Sequence, residues 1–276
     1  MFDKEKRVPT SKIARVSMFG RLAGRIATNV VVDKVKQATS GQPFSLKDSL
    51  LQKKNIESLA DKLSHLRGAA MKMGQLLSMD AGELLSPELS QLLDKLRSEA
   101  QPMPHKQLVS LVKDNWGESW VDNFSHFDLR PFAAASIGQV HIAYADNGEK
   151  LAVKVQYPGV AKAIVSDVDN VALLLKMSGL LPKELQIDHL LEEAKKQLLV
   201  ETDYLQEASF ISAYAQHLKE NDYLIPEVDT QLTSATILVM KFIEGQSIDC
   251  AYSAPQVVRD KIMSDLISLF LDELFT

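Results

Sequence analysis

The stretch Leu151–Gln156, which reads LAVKVQ, constrains this chain more than any other. Its alternation predicts a β-strand with Leu151, Val153 and Val155 on one face and Lys154 on the opposite face. A lysine in such a strand is costly to bury unless an anion meets it. The hexapeptide by itself also fits an edge strand whose lysine reaches water.

The residues before this strand favour the first interpretation. A run of small residues leads into an alternating stretch that begins at Val140, and Asp146–Glu149 has the composition of a hairpin turn. Protein kinases use this order, a loop, a strand, a tight turn and a strand with lysine, to hold nucleotide phosphates. The kinase loop is rich in glycine, whereas this one is rich in alanine and has less φ freedom. Its members are Ala133, Ala134, Ala135 and Ser136.

On these residues the chain resembles the UbiB/AarF family of atypical kinase-like proteins, on the branch associated with coenzyme Q biosynthesis. The alanine-rich loop continuing into Ser136–Val140, and Lys154 in Ala-Val-Lys, match that family's versions of two kinase motifs. The resemblance implies an α+β fold. Its parts would be a protein-kinase-like small lobe with an antiparallel sheet and an αC-type helix, a helical N-terminal extension, and a truncated large lobe. It also implies that the loop covers the phosphates of ATP or ADP while Lys154 contacts them.

A second motif, Lys72-Met73-Gly74-Gln75, lies in a helix predicted from Asn55 to Met79. Lys72 and Gln75 are three residues apart and share a helix face. Gly74 costs about 1 kcal/mol in a helix interior, which indicates a close approach to another element. Alone, the quartet is typical of a packed helix. Beside the loop it resembles the family's Lys-x-Gly-Gln motif, which implies a regulatory role with Lys72 and Gln75 pointing into the site.

A third motif lies in one continuous helix predicted to begin near residue 189 and to run past residue 208. Asp203 and Glu207 are four residues apart and would share a face, next to an apolar stripe. Acidic residues on a helix are usually a solvated face. This stretch, however, resembles the family's Glu-x-Asp motif and the kinase αC helix. The resemblance implies that Glu207 pairs with Lys154, and that Glu201 and Asp203 face the Lys-x-Gly-Gln helix.

Two further strands are predicted at 225–228 and 235–240. They are followed by Lys241, Phe242 and Ile243, which resemble the kinase hinge whose backbone groups hold adenine. A last helix is predicted at 255–275. Its inward side chains would be Ile262, Leu266, Leu269, Phe270 and Leu274.

No Asp-Phe-Gly and no kinase-type catalytic loop occurs in the 276 residues. In kinases these supply the catalytic aspartate and the Mg²⁺ ligands. The resemblance implies Mg²⁺ for complete family members, with its ligands missing here. We therefore expect a truncated or split member that has little or no activity alone.

Composition excludes several other function classes. The chain is 46% hydrophobic and 24% charged, as in soluble globular proteins. A net charge of -5 argues against bulk nucleic-acid binding. The single cysteine, Cys250, excludes an internal disulfide and a cysteine-rich zinc site. His65, His105 and His126 are interpreted as surface or locally hydrogen-bonded histidines rather than metal ligands.

The first forty residues are rich in lysine and arginine, and residues 11–35 fit a basic amphipathic helix. Arg21 and Arg25 interrupt it, so it is not predicted to span a membrane, and no signal peptide is recognised. It would either lie on an anionic membrane surface or dock on its own domain. A resemblance of Val8–Arg15 to the coenzyme Q branch favours the membrane. We expect a cytoplasmic protein, peripheral at the inner membrane.

Four segments are predicted: a basic segment 1–40, a helical extension 41–125, a kinase-like small lobe 126–245, and the start of a large lobe 246–276. The predicted function is ATP binding in support of ubiquinone biosynthesis, with nucleotide, membrane surface and ubiquinone-biosynthesis proteins as partners. The alternative is a non-catalytic membrane-surface scaffold or pseudokinase. A helical prenyl-lipid binder is a further alternative, although no sequence feature marks a lipid pocket.

Overall fold

The computed structural model describes residue 28 and residues 67–81, 102–178, 187–218 and 223–275. The predictions for residues 11–35, of which only residue 28 is described, and for residues 41–66 fall on residues outside the described ranges. The chain divides into two compact units, Met1–Phe242 and Ile243–Thr276. The division falls inside the stretch predicted as a hinge.

An antiparallel sheet organises the first unit. Its order is β1-β3-β4-β5, and β2 pairs with β3 outside that path. Lys154 lies opposite Val140 on one neighbouring strand and Leu238 on the other, so its strand is central. The strands are β1 (His126–Phe127), β2 (Ala133–Ala134), β3 (Gly138–Tyr144), β4 (Lys150–Gln156) and β5 (Ile237–Lys241).

The central strand β4 alternates as its sequence predicts. Leu151, Val153 and Val155 are buried on one face, and the Lys154 side chain projects from the opposite face. The turn that joins β3 to β4 contains Gly148 at φ +81°, a left-handed conformation that favours glycine. The Gly148 N–H donates to the Ala145 carbonyl at 2.9 Å, which closes the hairpin.

Six helices are described: α1 (Arg67–Ala81), α2 (His105–Trp116), α3 (Val160–Ser178), α4 (Ile187–Glu201), α5 (Tyr204–His217) and α6 (Gln256–Phe275). Two 3-10 helices, Trp120–Asn123 and Ile248–Ser253, accompany them. Within the first unit, α1, α3 and α4 pack on one another, and α5 packs on α4 and β5. Met73 of α1, Val168 of α3 and Leu198 of α4 belong to the same fully buried core as β4.

The prediction of one continuous helix through residues 189–208 is wrong. The helix ends at Glu201, and a new helix begins at Tyr204. The Asp203 carboxylate accepts a hydrogen bond from the Gln206 N–H at 3.0 Å and so caps α5. Because aspartate stabilises a helix start better than a helix interior, the chain reorients at this point. Asp203 is therefore the cap of α5, and its carbonyl accepts a hydrogen bond from the Glu207 N–H at 2.9 Å.

Two other predicted elements differ from the structure. At 225–228 only Val228 pairs, through a single bridge to Met240, and Pro226 has no N–H to extend the ladder. In the second unit no described residue of α6 is fully buried, and of the predicted inward stripe only Ile262 and Leu269 are half-buried. Leu266, Phe270 and Leu274 are exposed there. A unit of one helix and one 3-10 helix is too small to enclose a core.

Among the helices that the structure describes, none is long and apolar enough to cross a membrane.

A buried polar network ties the start of α2 to the sheet. The Met103 N–H donates to Gln139 Oε1 at 2.9 Å, and Gln139 Nε2 lies 2.8 Å from His141 Nε2. His141 Nδ1 lies 2.8 Å from the Asp128 carbonyl oxygen. A carbonyl can only accept, so the neutral ring with its proton on Nδ1 satisfies every contact. Burial lowers the pKa of His141 to about 4, which keeps the ring neutral.

This network predicts a loss of stability in mild acid. The pKa of His141 is about 4 in the folded protein against the usual 6.5 of an exposed histidine, so the unfolded chain binds the proton first as pH falls. Stability from His141 is present above pH 6.5 and is lost toward pH 4, by about 3 kcal/mol in full. Urea denaturation across this range should show His141→Gln with a smaller pH slope than the wild type. The exposed His126→Gln control should keep the wild-type slope, and equal slopes for all three proteins would contradict the assignment.

Candidate functional site

Lys154 of β4 and Glu207 of α5 form a bidentate ion pair. Lys154 Nζ donates to Glu207 Oε1 at 2.7 Å and to Oε2 at 2.9 Å. The two side chains are 19% and 30% exposed, so the pair is partly shielded from water but still accessible. Charge-assisted bonds of this length are strong, and the pair fixes the lysine that the sequence singles out.

Tyr204, the first residue of α5, lies beside this pair. Lys154 Nζ is 4.7 Å from the centroid of the Tyr204 ring, a cation–π contact. The tyrosine is fully buried, and its hydroxyl has no hydrogen-bond partner among the described residues. Burial raises the pKa of Tyr204 well above its usual range, and the Glu207 and Glu201 carboxylates add to this rise. The side chain is therefore a neutral phenol.

Glu201 joins three elements. Its Oε1 accepts from Lys72 Nζ of α1 at 2.8 Å, and its Oε2 accepts from Ser136 Oγ of the alanine-rich loop at 2.7 Å. The Lys72 side chain is only 16% exposed. One carboxylate at the end of α4 thus connects the Lys-x-Gly-Gln helix to the loop. Gln156 supports the same junction, because its amide donates to the Thr202 carbonyl at 3.0 Å.

The stretch predicted as an alanine-rich loop is only partly a loop: Ala133 and Ala134 form β2, and Ala135 and Ser136 belong to the tight turn between β2 and β3. The Ala135 N–H donates to the Gly138 carbonyl at 3.0 Å. Helix α1 lies directly on this turn, because a Cβ at Gly68 would come within 3.0 Å of Ile137 Cγ2 and 3.1 Å of the Ser136 carbonyl oxygen. Sequence reasoning missed Gly68, although the run Gly68-Ala69-Ala70 was a signal for close helix packing.

The other predicted residues lie as follows. On α1, Gly74 is buried and Gln75 is exposed. Asp203 is exposed, and its carboxylate is used as the cap of α5. The structure therefore brings Lys154 together with Glu207, and Lys72 and Ser136 together with Glu201. Asp203 caps the first turn of α5.

The stretch predicted as a hinge has its first two N–H groups already bonded. The Lys241 N–H donates to the Glu227 carbonyl at 2.8 Å, and the Phe242 N–H donates to the Lys150 carbonyl at 2.9 Å. A ligand at these two residues would have to use carbonyl oxygens. The Lys241 side chain pairs with Glu227 and Glu149, and these hydrogen bonds raise its pKa. Ile243 opens the second unit.

Within the described ranges, no three His, Cys, Asp or Glu side chains come together as potential ligands of a metal ion.

The ABC1 atypical kinase-like domain matches residues 95–276, which include the sheet, the loop, Lys154 and the Glu201–Glu207 junction. This chain belongs to the ABC1 atypical kinase-like family. The resemblance noted from the motifs is therefore confirmed, and so is the kinase-like α+β fold with an antiparallel sheet and helices.

Curated relatives extend this similarity over nearly the whole chain. The chain is 37% identical over 278 residues to "Atypical kinase coq-8, mitochondrial" of Caenorhabditis elegans, which covers 98% of this chain and 37% of the relative. It is 40% identical over 243 residues to "Atypical kinase COQ8, mitochondrial" of Schizosaccharomyces pombe, covering 87% of this chain and 39% of the relative. The chain thus spans less than half the length of these two relatives.

A solved structure is also similar, the complex of Rv3197 with erythromycin from Mycobacterium tuberculosis. It aligns with 78% of this chain and 55% of its own, at 27% identity and a TM-score of 0.47.

Proposed function

We propose that this ABC1-family chain binds ATP or ADP, with Lys154 as the phosphate-contacting residue. The observation that carries the proposal is the bidentate Lys154–Glu207 pair between a central strand and a helix. Kinases use a strand lysine, oriented by a helix glutamate, to hold nucleotide phosphates. A lysine that is 19% exposed is desolvated enough to attract a phosphate strongly and open enough to reach one.

The residues around the Lys154–Glu207 pair would have separate roles in nucleotide binding. Glu207 would orient Lys154, and the backbone of the turn from Ala133 to Ser136 would lie over the phosphates. Ala133 and Ala134 form β2, and their small side chains would let backbone and ligand approach each other. Carbonyl groups of Lys241 and Phe242 would meet the base.

Mg²⁺ is implied for complete members of the family. In kinases the Mg²⁺ ligands come from the catalytic loop and the Asp-Phe-Gly turn, and neither motif occurs in the 276 residues, so the ligands of the ion are missing here.

Helix α1 would regulate the same site. Lys72 and Ser136 meet on the Glu201 carboxylate, and Gly68 brings α1 against the turn, so the extension restrains the loop that would cover the phosphates. Gly74, Gln75 and Asp203 belong to the same proposal as members of the family's two motifs. Separation of Lys72 from Glu201 would release the loop.

We further propose that this protein acts in ubiquinone biosynthesis next to a membrane, with residues 11–35 on the membrane surface. The support is the similarity to relatives named as mitochondrial COQ8 atypical kinases. Partners from ubiquinone biosynthesis follow from the same similarity.

Loss of Lys154 should remove most of the stabilisation that a bound nucleotide gives to the folded chain. Ligand at a hundred times its dissociation constant adds about 2.7 kcal/mol to folded-state stability, so ADP and ATP should raise the melting temperature of the wild-type chain. Lys154→Ala should lose most of this rise because the phosphates lose their cation, and Glu207→Gln should lose part of it. Thermal-shift titration measures both.

Lys162→Ala, an exposed lysine on α3, is the matched control and should respond as the wild type does. An unchanged response in Lys154→Ala would remove the lysine from the proposal. No response of the wild type to either nucleotide would favour the non-catalytic scaffold instead.

A further inference from the structure

We propose that Tyr204 is a positioning residue for Lys154, and that its ring face holds the ammonium in place before a nucleotide arrives. The proposal deepens the proposed function and rests on it for the role of Lys154. Its geometric basis is the 4.7 Å contact between Lys154 Nζ and the Tyr204 ring centroid, together with the complete burial of Tyr204.

The ring and the carboxylate restrain the ammonium from two sides. Glu207 takes two hydrogen bonds from Lys154 Nζ, at 2.7 and 2.9 Å. The negative face of the Tyr204 ring attracts the same cation without competing for those acceptors. A free lysine side chain has high rotamer entropy, and ordering it in advance lowers the cost of binding an anion. The remaining side of the ammonium is then available to a phosphate oxygen.

The helix break makes this arrangement possible. Asp203 caps α5, so Tyr204 is the first helical residue and Glu207 lies one turn later on the same side. The two residues therefore reach Lys154 together.

The Tyr204 hydroxyl does not contribute to the positioning of Lys154. It is buried without a hydrogen-bond partner among the described residues, so it makes no contact that would hold Lys154. The aromatic ring is the functional part, and phenylalanine should replace it, whereas leucine should not. This distinction separates positioning by the ring from simple filling of the core.

The first test is a double-mutant cycle read with ADP and adenosine. Tyr204→Leu should weaken ADP binding about tenfold, the size of a desolvated cation–π contact, and should leave adenosine binding unchanged. Tyr204→Phe should recover most of the ADP affinity. In a Lys154→Ala background, Tyr204→Leu should have no further effect on ADP, because the two residues act as one unit. Equal losses for ADP and adenosine, or the same loss with and without Lys154, would overturn the proposal.

The second test needs no nucleotide. Acetic anhydride labels lysine amines, and mass spectrometry reports the rate at each residue. Lys154 should be acetylated several times faster in Tyr204→Leu than in the wild type, because a cation–π contact of this size holds a lysine amine weakly but measurably. Lys195, held by Asp169 at 2.8 Å and Glu192 at 3.0 Å, should keep its rate and thus report an intact fold.

Phe210→Leu, an exposed aromatic residue on the same helix, is the matched control and should change neither rate. An unchanged Lys154 rate in Tyr204→Leu would overturn the positioning role. If the wild type fails to bind ADP while Lys154 labelling still responds to Tyr204→Leu, the proposed function fails and the positioning of Lys154 stands.

Discussion

Gly138→Ala is expected to lower the free energy of unfolding by about 3 kcal/mol, the largest effect of a single added methyl group in the sheet. A Cβ at Gly138 would lie 2.3 Å from the Val155 carbonyl oxygen and 3.1 Å from its carbonyl carbon. These are backbone atoms of β4, which is paired on both sides and cannot move away. Any shift would also displace the neighbouring Lys154. Chemical denaturation measures the loss, and nucleotide affinity should fall with it.

Two other glycines separate this clash from the general effect of replacing glycine. Gly148 has φ +81° and nothing within 4 Å of an added Cβ, so Gly148→Ala should cost about 1 kcal/mol from backbone strain alone. Gly245 has neither a positive φ nor a neighbour within 4 Å, so Gly245→Ala should be close to neutral. If Gly138→Ala cost no more stability than Gly148→Ala, the start of β3 would lie less tightly against Val155 of β4 than the structure indicates.

Glu201→Ala should lower the free energy of unfolding by about 2 kcal/mol. The change removes the partner of Lys72, whose side chain is 16% exposed, and also the acceptor of the Ser136 hydroxyl. Lys72 is left as a mostly buried ammonium without its anion, which is worse than having neither group. The double variant Lys72→Met with Glu201→Ala should therefore lose less than the sum of the single variants, by at least about 1 kcal/mol.

Glu192→Ala on the same helix is the control for this cycle. Glu192 pairs with Lys195, but Lys195 keeps Asp169 when Glu192 is removed. Because the Glu192 side chain is 65% exposed and Lys195 keeps a second carboxylate, the change should cost less than about 0.5 kcal/mol. Additive losses for Lys72→Met and Glu201→Ala would mean that the ion pair contributes little, and the link between α1 and the loop would then depend on packing at Gly68.

The two ion pairs and Tyr204 depend on one short junction. Residues 201 to 207 supply Glu201 to α1 and the loop, and Tyr204 and Glu207 to Lys154. A change in the angle between α4 and α5 would therefore act on the restraint of the loop and on the lysine together.

Much of the sheet could be predicted from the sequence because its signals are local. The alternation of Leu151, Val153 and Val155 and the turn chemistry at Gly148 depend on neighbours a few residues away. The helix boundaries near residues 189–208 could not be predicted in the same way. The apolar pattern there is continuous, but Asp203 caps a new helix and so divides the segment into two helices.

The resemblance implied the Lys154–Glu207 pair and a position of Glu201 against the Lys-x-Gly-Gln helix. The contacts of Ser136 with Glu201 and of Tyr204 with Lys154 required the fold. Composition and spacing gave no reason to place Lys72 beside Glu201, 129 residues later in the chain, or Ser136 on the same carboxylate. Gly68, Tyr204 and the His141 network were not singled out. Their importance depends on which backbone or charge lies opposite, and no local pattern encodes that.

The sequence by itself determined the strand that presents Lys154, the hairpin before it and the family to which the chain belongs. These follow from periodicity, turn chemistry and motifs, which act over a few residues. Only the tertiary structure decided that Glu207 and Tyr204 hold Lys154 together and that Glu201 joins α1 to the loop. The physical reason is that ion pairs and cation–π contacts depend on distances of a few ångströms between elements far apart in sequence, and packing of the whole core sets those distances.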